Sequence, residues 1–171
     1  MLKLIGAVFI MRATTWTGFE ASRKYSERTK QLRLLKSALQ SLEAEIMYGH
    51  TPLHEASRRL AEQLPYPLAR FFDSFAKKLT NMETTVKDAW EMSLREIWRQ
   101  TALKQGEFEI MKQFGETLGR HDRISQQKQI MLTLTHLERE ELDAVDKQAK
   151  YEKMVKSLGF LSGLLLSILL F

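Results

Sequence analysis

The sequence predicts an all-α fold: a six-helix bundle flanked by an apolar segment at each end of the chain. Residues with high helix propensity dominate the 171 residues, and the three prolines all lie between residues 52 and 67. Few stretches show the alternation of apolar and polar residues that is typical of half-buried strands. Apolar residues instead recur at intervals of three and four, which places them on one face of a helix. The length is sufficient for one domain with its own core.

The first helix is predicted at residues 28–48, and the stretch GHTPLHEA (49–56) predicts how the second helix begins. Thr51 can cap that helix, because its hydroxyl can accept a free backbone N–H. Pro52 suits the first helical position, where a missing N–H has no cost. The same letters match the core of an ankyrin repeat, which recurs every 33 residues. Only one partial match follows at that period, at 84–89, so the stretch does not indicate an ankyrin array. It predicts a joint between two helices.

The remaining helices of the central domain follow the same spacing. Pro65 and Pro67 interrupt the pattern, because each disfavours helix at the residue before it. A third helix is expected after them, a fourth after NMETT (81–85), and a fifth that ends at GRHD (119–122). The sixth should begin after Asp122 and could continue into the C-terminal segment. The expected core residues are Leu32, Leu35, Leu39, Leu42, Ile46, Leu68, Phe71, Phe72, Phe75, Leu79, Val86, Trp90, Leu94, Ile97, Phe108, Met111, Phe114 and Leu118.

The C-terminal segment, residues 154–171, is predicted to be a transmembrane anchor. Fifteen residues follow Lys156 without a charge, and LLLSILLF (164–171) is apolar on every face of a helix. As a helix the segment would be about 27 Å long, close to the hydrocarbon core of about 30 Å. A buried core helix is the alternative, because the run is short.

The N-terminal segment, residues 1–22, gives a weaker membrane signal, because Arg12 lies in the middle of its apolar stretch. An arginine at the centre of a membrane helix costs about 2.5–3.5 kcal/mol. The apolar residues of the segment contribute roughly the same amount in favour of insertion. We expect a retained anchor. A cleaved signal peptide and a helix lying in the membrane interface are the alternatives, although no A-x-A cleavage site follows.

The net charge of +5 is unevenly distributed. Residues 20–36 carry +4, whereas residues 37–138 carry −1. A nucleic-acid-binding domain would carry its basic excess on the folded body, so we expect no nucleic acid as partner. Basic residues instead flank both apolar segments, which favours a cytoplasmic central domain (23–153) with both termini across the membrane. The absence of cysteine excludes disulfides and thiolate zinc sites.

The sequence contains no recognisable catalytic, cofactor or metal motif, and we expect no small-molecule substrate. His50 and His54 are four residues apart, but a predicted helix starts between them and no H-E-x-x-H motif is present. The strongest candidate for an acid–base cluster is Glu116 with His121 and Asp122. These three residues define the alternative function, a membrane-tethered hydrolase or regulator.

Several stretches together resemble the stage III sporulation protein AB family, and the match covers essentially the whole chain. More distantly, GHTPLHEA followed some sixty residues later by FGETLG (114–119) resembles the six-helix cytoplasmic domain of type II secretion platform proteins. Met11 and Arg12 depart from the first family, which tends to be apolar there. The stretches are LKLIGAVFI (2–10), ATTWTGFE (13–20), ALQSLEAEIMYGHTPLHEAS (38–57), IMKQFGETLGRHDRISQQK (110–128), LTHLE (134–138) and EKMVKSLGFLSGLLL (152–166).

The resemblance implies a non-enzymatic membrane component of the channel complex that joins mother cell and forespore during sporulation. It implies a location in the mother-cell membrane around the engulfed forespore. The implied partners are the family's cytosolic secretion-type ATPase, stage III sporulation protein AA, and other proteins of the complex. We expect Gly115 to permit close helix packing and Glu116 to bond a neighbouring helix start. The whole expected structural or partner-binding motif is Gly115, Glu116, Gly119, Arg120, Asp122 and Arg123.

Overall fold

The computed structural model describes residues 2–49, 51–81, 84–119 and 123–170, and this part of the chain is all-helical. The predicted all-α class and the order of six helices are confirmed. A single π-helical turn, Glu45–Gly49, follows the first helix. The helices are α1 (Leu2–Ala44), α2 (Leu53–Gln63), α3 (Leu68–Leu79), α4 (Val86–Trp98), α5 (Gln105–Gly115) and α6 (Arg123–Leu170).

The two terminal helices are longer than the central domain requires. α1 begins at Leu2, so the N-terminal segment and the predicted helix at 28–48 form one continuous helix. α6 runs without interruption into the C-terminal segment, as its sequence pattern predicts. The expected domain limits after residues 22 and 153 therefore fall inside helices. Within the described residues, no helix has a stretch long and apolar enough to cross a membrane.

Neighbouring helices pack against each other in chain order, and α6 closes the bundle against α1. α1 and α6 run antiparallel. Lys36 on α1 reaches Glu138 and Glu141 on α6, whereas the ring of Tyr25 lies 5.1 Å from that of Tyr151. Moving toward the N-terminus of α1 therefore corresponds to moving toward the C-terminus of α6, and the outer ends of both helices leave the bundle together.

Trp90 lies at the centre of the core and is fully buried. Its ring is perpendicular to those of Phe71 and Phe75 on α3, with centroids 4.8 and 4.9 Å away, and contacts Phe114 on α5 at 5.2 Å. Its indole N–H donates to the carbonyl of Met111 at 2.7 Å, which satisfies the one polar atom of the side chain. This one side chain thus joins α3, α4 and α5.

The apolar stripes predict the core well. Three expected core residues, Ile46, Leu79 and Val86, are only partly buried and pack against its edge. Leu118 is buried but lies beyond the end of α5. The expected residues that are buried in the structure are Leu32, Leu35, Leu39, Leu42, Leu68, Phe71, Phe72, Phe75, Trp90, Leu94, Ile97, Phe108, Met111, Phe114 and Leu118.

Helix α2 begins one residue later than predicted. Pro52 occupies the cap position rather than the first helical position, and its carbonyl accepts the N–H groups of Glu55 and Ala56 at 2.9 and 3.0 Å. The predicted cap residue, Thr51, precedes the observed cap, and its hydroxyl donates to the carboxylate of Glu45 at 2.5 Å. Thr51 therefore links the π-helical turn to the start of α2.

Gly115, the last residue of α5, lies directly against the ring of Trp90. A Cβ atom on Gly115 would lie 2.1 Å from Cδ1 of Trp90, a distance that real Cβ contacts do not show. The position therefore requires glycine for steric reasons, because any side chain would displace the tryptophan at the centre of the core.

Replacing Gly115 with alanine should lower the stability of the bundle by roughly 1–3 kcal/mol, since an overpacked core must shift to make room. Gly106 in the same helix provides the control, because it is exposed and the nearest atom to its Cβ would be 3.7 Å away. Gly106→Ala should leave the stability unchanged or raise it by up to about 0.5–1 kcal/mol, the value for a glycine in the middle of a helix, because Gly106 is the second residue of α5. Thermal unfolding followed by circular dichroism measures both. Equal shifts in Tm for the two variants would contradict the steric argument.

Candidate functional site

The motif expected at the end of α5 contacts the start of α4. Glu116 is exposed, and its carboxylate lies 3.2 Å from the ammonium of Lys87 in the first turn of α4. Gly119 has a φ of +79°, in the left-handed region that favours glycine. A Cβ there would lie 3.1 Å from the side chain of Val86. With Gly115 against Trp90, the described residues of the motif hold the end of α5 against α4.

The rest of the motif is not described. Arg120, His121 and Asp122 lie outside the described residues, and so does the side chain of Arg123. Of the alternative acid–base cluster, the structure therefore describes Glu116, whose ionic partner is Lys87. In the part of the chain that is described, no group of three or more His, Cys, Asp or Glu side chains could hold a metal ion.

A second polar site, which the sequence analysis missed, surrounds Arg28 of α1. Arg28 is 2% exposed and Glu107 of α5 is fully buried. The guanidinium Nε donates to Glu107 at 2.8 Å, and its two Nη atoms donate to Glu140 at 2.8 Å and Asp143 at 3.2 Å, both on α6. These four side chains, the Arg28 network, join α1, α5 and α6 at one point.

The buried charges of the Arg28 network are fully partnered. The second carboxylate oxygen of Glu107 accepts the backbone N–H of Lys104 at 2.8 Å, which closes the first turn of α5. Next to it, the buried amide of Gln31 accepts the N–H of Ala102 at 2.8 Å. Every described buried side-chain nitrogen or oxygen has a hydrogen-bond partner. A buried ion pair is tolerated when its remaining polar atoms are satisfied in this way.

The electrostatics of the network favour the charged forms of Arg28 and Asp143. Burial disfavours the charged form of Arg28, but hydrogen bonding and attraction to Glu107 outweigh that effect, so its pKa is raised above the ordinary value. The pKa of Asp143 is lowered, first by the hydrogen bond from Lys147 and then by Arg28. Neither group therefore changes charge near neutral pH, and the network acts as a structural joint.

The sequence carried a signal for both buried charges. Arg28 precedes Leu32 and Leu35 by four and seven residues, so it extends the buried stripe of α1. Glu107 extends the stripe of α5 in the same way, since it precedes Met111 by four residues. A charged residue at a core position predicts a buried partner. The spacing of apolar residues could not identify that partner, because 79 positions separate Arg28 and Glu107 in the sequence.

Comparison with known proteins identifies the family. The sequence profile described as stage III sporulation protein AB matches residues 3–171. The chain belongs to this family. Stage III sporulation protein AB of Bacillus subtilis (strain 168) is 61% identical over 170 residues, which cover 99% of each chain. A solved structure of a stage III sporulation protein AB is 56% identical, with a TM-score of 0.70, and the match covers 72% of this chain and 98% of that one. The resemblance found in the sequence is thereby confirmed.

The bundle should lose more stability when Arg28 alone is replaced than when Arg28 and Glu107 are both replaced by uncharged residues. Arg28→Met leaves the buried carboxylate of Glu107 without a cation, which costs about 3–5 kcal/mol. Adding Glu107→Gln removes that stranded charge, so the double variant should be more stable than Arg28→Met alone. Urea unfolding of the single and double variants gives the coupling free energy.

Arg33→Met is the matched control for this cycle. Arg33 is also on α1 and pairs with Glu141 on α6, but its side chain is 62% exposed. Its loss should cost less than about 1 kcal/mol, as for other exposed ion pairs. If the effects of Arg28→Met and Glu107→Gln simply added, the two charges would not be coupled and the Arg28 network would not be the joint described above.

Proposed function

We propose that this chain is a non-enzymatic, membrane-anchored platform in the secretion-like channel complex between mother cell and forespore. Membership of the stage III sporulation protein AB family supports a role in sporulation. In this proposal residues 1–22 and 154–171 enter the mother-cell membrane around the engulfed forespore. The bundle lies in the cytoplasm, where it binds a secretion-type ATPase (stage III sporulation protein AA) and other proteins of the complex.

The observation that carries this proposal is the common exit of α1 and α6 from the bundle. Arg28 is the first buried residue of α1 and Ala144 the last buried residue of α6, among the side chains described. Beyond these residues the two helices remain in contact, as the pair Tyr25 and Tyr151 demonstrates. Both apolar segments of the sequence therefore follow from one end of the bundle. A domain tethered at one end leaves its other surfaces accessible to cytoplasmic partners.

The exposed surface of the last part of α6 also supports membrane contact. Met154, Leu158, Leu161 and Leu165 are each about half exposed or more. They recur at intervals of three and four residues along the helix. A row of large apolar side chains on a surface marks contact with lipid or with another protein.

A structural role for Glu116 distinguishes the platform from the hydrolase. Glu116→Gln should leave the yield of heat-resistant spores within about twofold, whereas loss of a catalytic acid or base lowers activity about 10²–10⁴-fold. Lys87→Gln is the control, because it breaks the same ion pair from the other side. A sporulation defect in Glu116→Gln cells but not in Lys87→Gln cells, at equal protein levels, would favour catalysis by Glu116.

Membrane fractions of sporulating cells test the anchors and the partner together. We expect deletion of residues 154–171 to release the chain, because they contribute about −3 to −6 kcal/mol to insertion. Deletion of residues 1–22 should leave it bound, since Arg12 roughly cancels the apolar contribution there. Arg12→Leu should strengthen membrane retention of a reporter fused to residues 1–24. Cross-linking of intact membranes should recover the ATPase with the full chain.

Two results would contradict the proposal. If deletion of residues 1–22 alone released the protein from the membrane, the assignment of the main anchor to residues 154–171 would be contradicted. Recovery of the full chain from membranes without any cross-link to the ATPase, while the ATPase cross-links to other proteins of the complex, would contradict the direct contact.

A further inference from the structure

Beyond the bundle, α1 and α6 form a two-helix stalk, consisting of residues 22–27 and 145–158. No side chain of the stalk is fully buried among those described, but a half-buried seam holds the two helices together. The rings of Tyr25 and Tyr151 are its central contact, with centroids 5.1 Å apart. The half-buried residues of the stalk are Ser22, Tyr25, Glu27, Val145, Gln148, Tyr151, Glu152 and Val155.

Basic side chains are concentrated at the outer end of the stalk. The segments 23–24 and 150–156 contain five basic residues and one acidic residue, whereas 25–30 and 143–149 contain three of each. The five basic side chains are all exposed. We call them the basic collar: Arg23, Lys24, Lys150, Lys153 and Lys156.

The collar is formed by both helices at the same level. Because α1 and α6 are antiparallel and Tyr25 contacts Tyr151, Arg23 and Lys24 lie beside the α6 turn that carries Lys150 and Lys153. Lys150, Lys153 and Lys156 recur every three residues along the exposed surface of α6. At 3.6 residues per turn, Lys150 and Lys153 lie opposite the seam and Lys156 lies at its side. Among the described ion pairs, none involves a collar residue, whereas the neighbouring Lys147 pairs with Asp143 at 2.7 Å.

The collar borders directly on exposed apolar residues. Met154 lies between two collar lysines, and Leu158 and Leu161 follow Lys156 within five residues, all about half exposed. Lys150 and Lys156 are about 9 Å apart along the helix axis at 1.5 Å per residue. That length is close to the headgroup layer of one leaflet, which is about 5–8 Å thick.

We propose that the basic collar binds the phosphate groups of anionic phospholipids in the cytoplasmic leaflet. This inference rests on the proposed function, because it requires the stalk to meet the membrane. Five exposed cations that form no ion pair within the described part of the chain match a layer of anionic phosphates. The leucines next to them match the hydrocarbon below that layer, which an acidic protein partner would not provide. The collar thereby fixes the height of the bundle above the membrane, and this height depends on the charge of the lipids.

Spin-labelled lipids test the collar on the full chain in phosphatidylcholine vesicles. Electron paramagnetic resonance measures how strongly labelled phosphatidylglycerol associates with the protein relative to labelled phosphatidylcholine. Each basic residue near a membrane surface contributes about fivefold to the binding of anionic lipid. We expect a preference of at least fivefold for phosphatidylglycerol in the unmodified chain. The triple variant K150Q/K153Q/K156Q should reduce that preference at least threefold.

The matched control removes three exposed arginines from the bundle, Arg58, Arg70 and Arg99, as R58Q/R70Q/R99Q. It changes the net charge by the same amount and should leave the lipid preference unchanged. Circular dichroism checks that the helix content is retained, and the single lysine variants replace the triple variant if it is not. Sodium chloride at about 1 M should abolish the preference, since it shortens the screening length to about 3 Å.

Four outcomes would overturn the inference. Equal association of the two lipids with the unmodified chain would overturn the inference. A preference for phosphatidylglycerol that survives the triple substitution would overturn it too. Both results would leave the proposed membrane anchoring intact. Stronger competition by inorganic phosphate than by chloride at equal ionic strength would indicate a site for free phosphate instead. Failure of the full chain to enter vesicles would overturn the anchoring in the proposed function as well.

Discussion

The Arg28 network is the constraint on which the arrangement of the terminal helices depends. One guanidinium holds α1 against α5 and α6, and the carboxylate that it binds also closes the first turn of α5. A shift of α1 along α6 would move Arg28 away from Glu107 and leave that buried carboxylate without its cation. Buried ion pairs add little net stability over apolar packing, but their disruption is costly. We infer that the network selects one register of α1 on α6 more than it adds stability.

The apolar core and the Arg28 network have different roles. Trp90 and the rings around it unite α3, α4 and α5, and the close contact with Gly115 leaves no room for alternative packing there. Apolar contacts along α1 and α6, by contrast, are not directional, so they specify the register less strictly than an ion pair does. The network lies where these two helices leave the bundle. It therefore determines how the stalk is joined to the bundle, whereas Trp90 determines how the bundle itself is packed.

Local sequence patterns predicted most of this fold and little of its polar architecture. The spacing of apolar residues gave the helices and the buried stripes, and Pro65 and Pro67 gave the break between α2 and α3. The continuity of α1 from Leu2 was missed, because the N-terminal apolar segment and the apolar stripe of residues 28–48 were interpreted as separate elements. The contact between Glu107 and Arg28 was missed because pairing across 79 residues leaves no trace in a local period. Gly115 and Glu116 were recognised as a motif, but their partners Trp90 and Lys87 were visible only in three dimensions.

A platform needs a rigid relation between the surface that binds its support and the surfaces that bind its partners. In the proposed arrangement, lipid phosphates hold the basic collar at the outer end of the stalk. The stalk alone has no fully buried side chain among those described, so its seam holds the two helices less firmly than the core holds the bundle. The charges of Arg28 and Asp143 stay fixed near neutral pH, since the pKa of the first is raised and that of the second is lowered. These two groups of the joint between stalk and bundle therefore keep their charges near neutral pH, and in this arrangement the lipids at the collar set the position of the bundle.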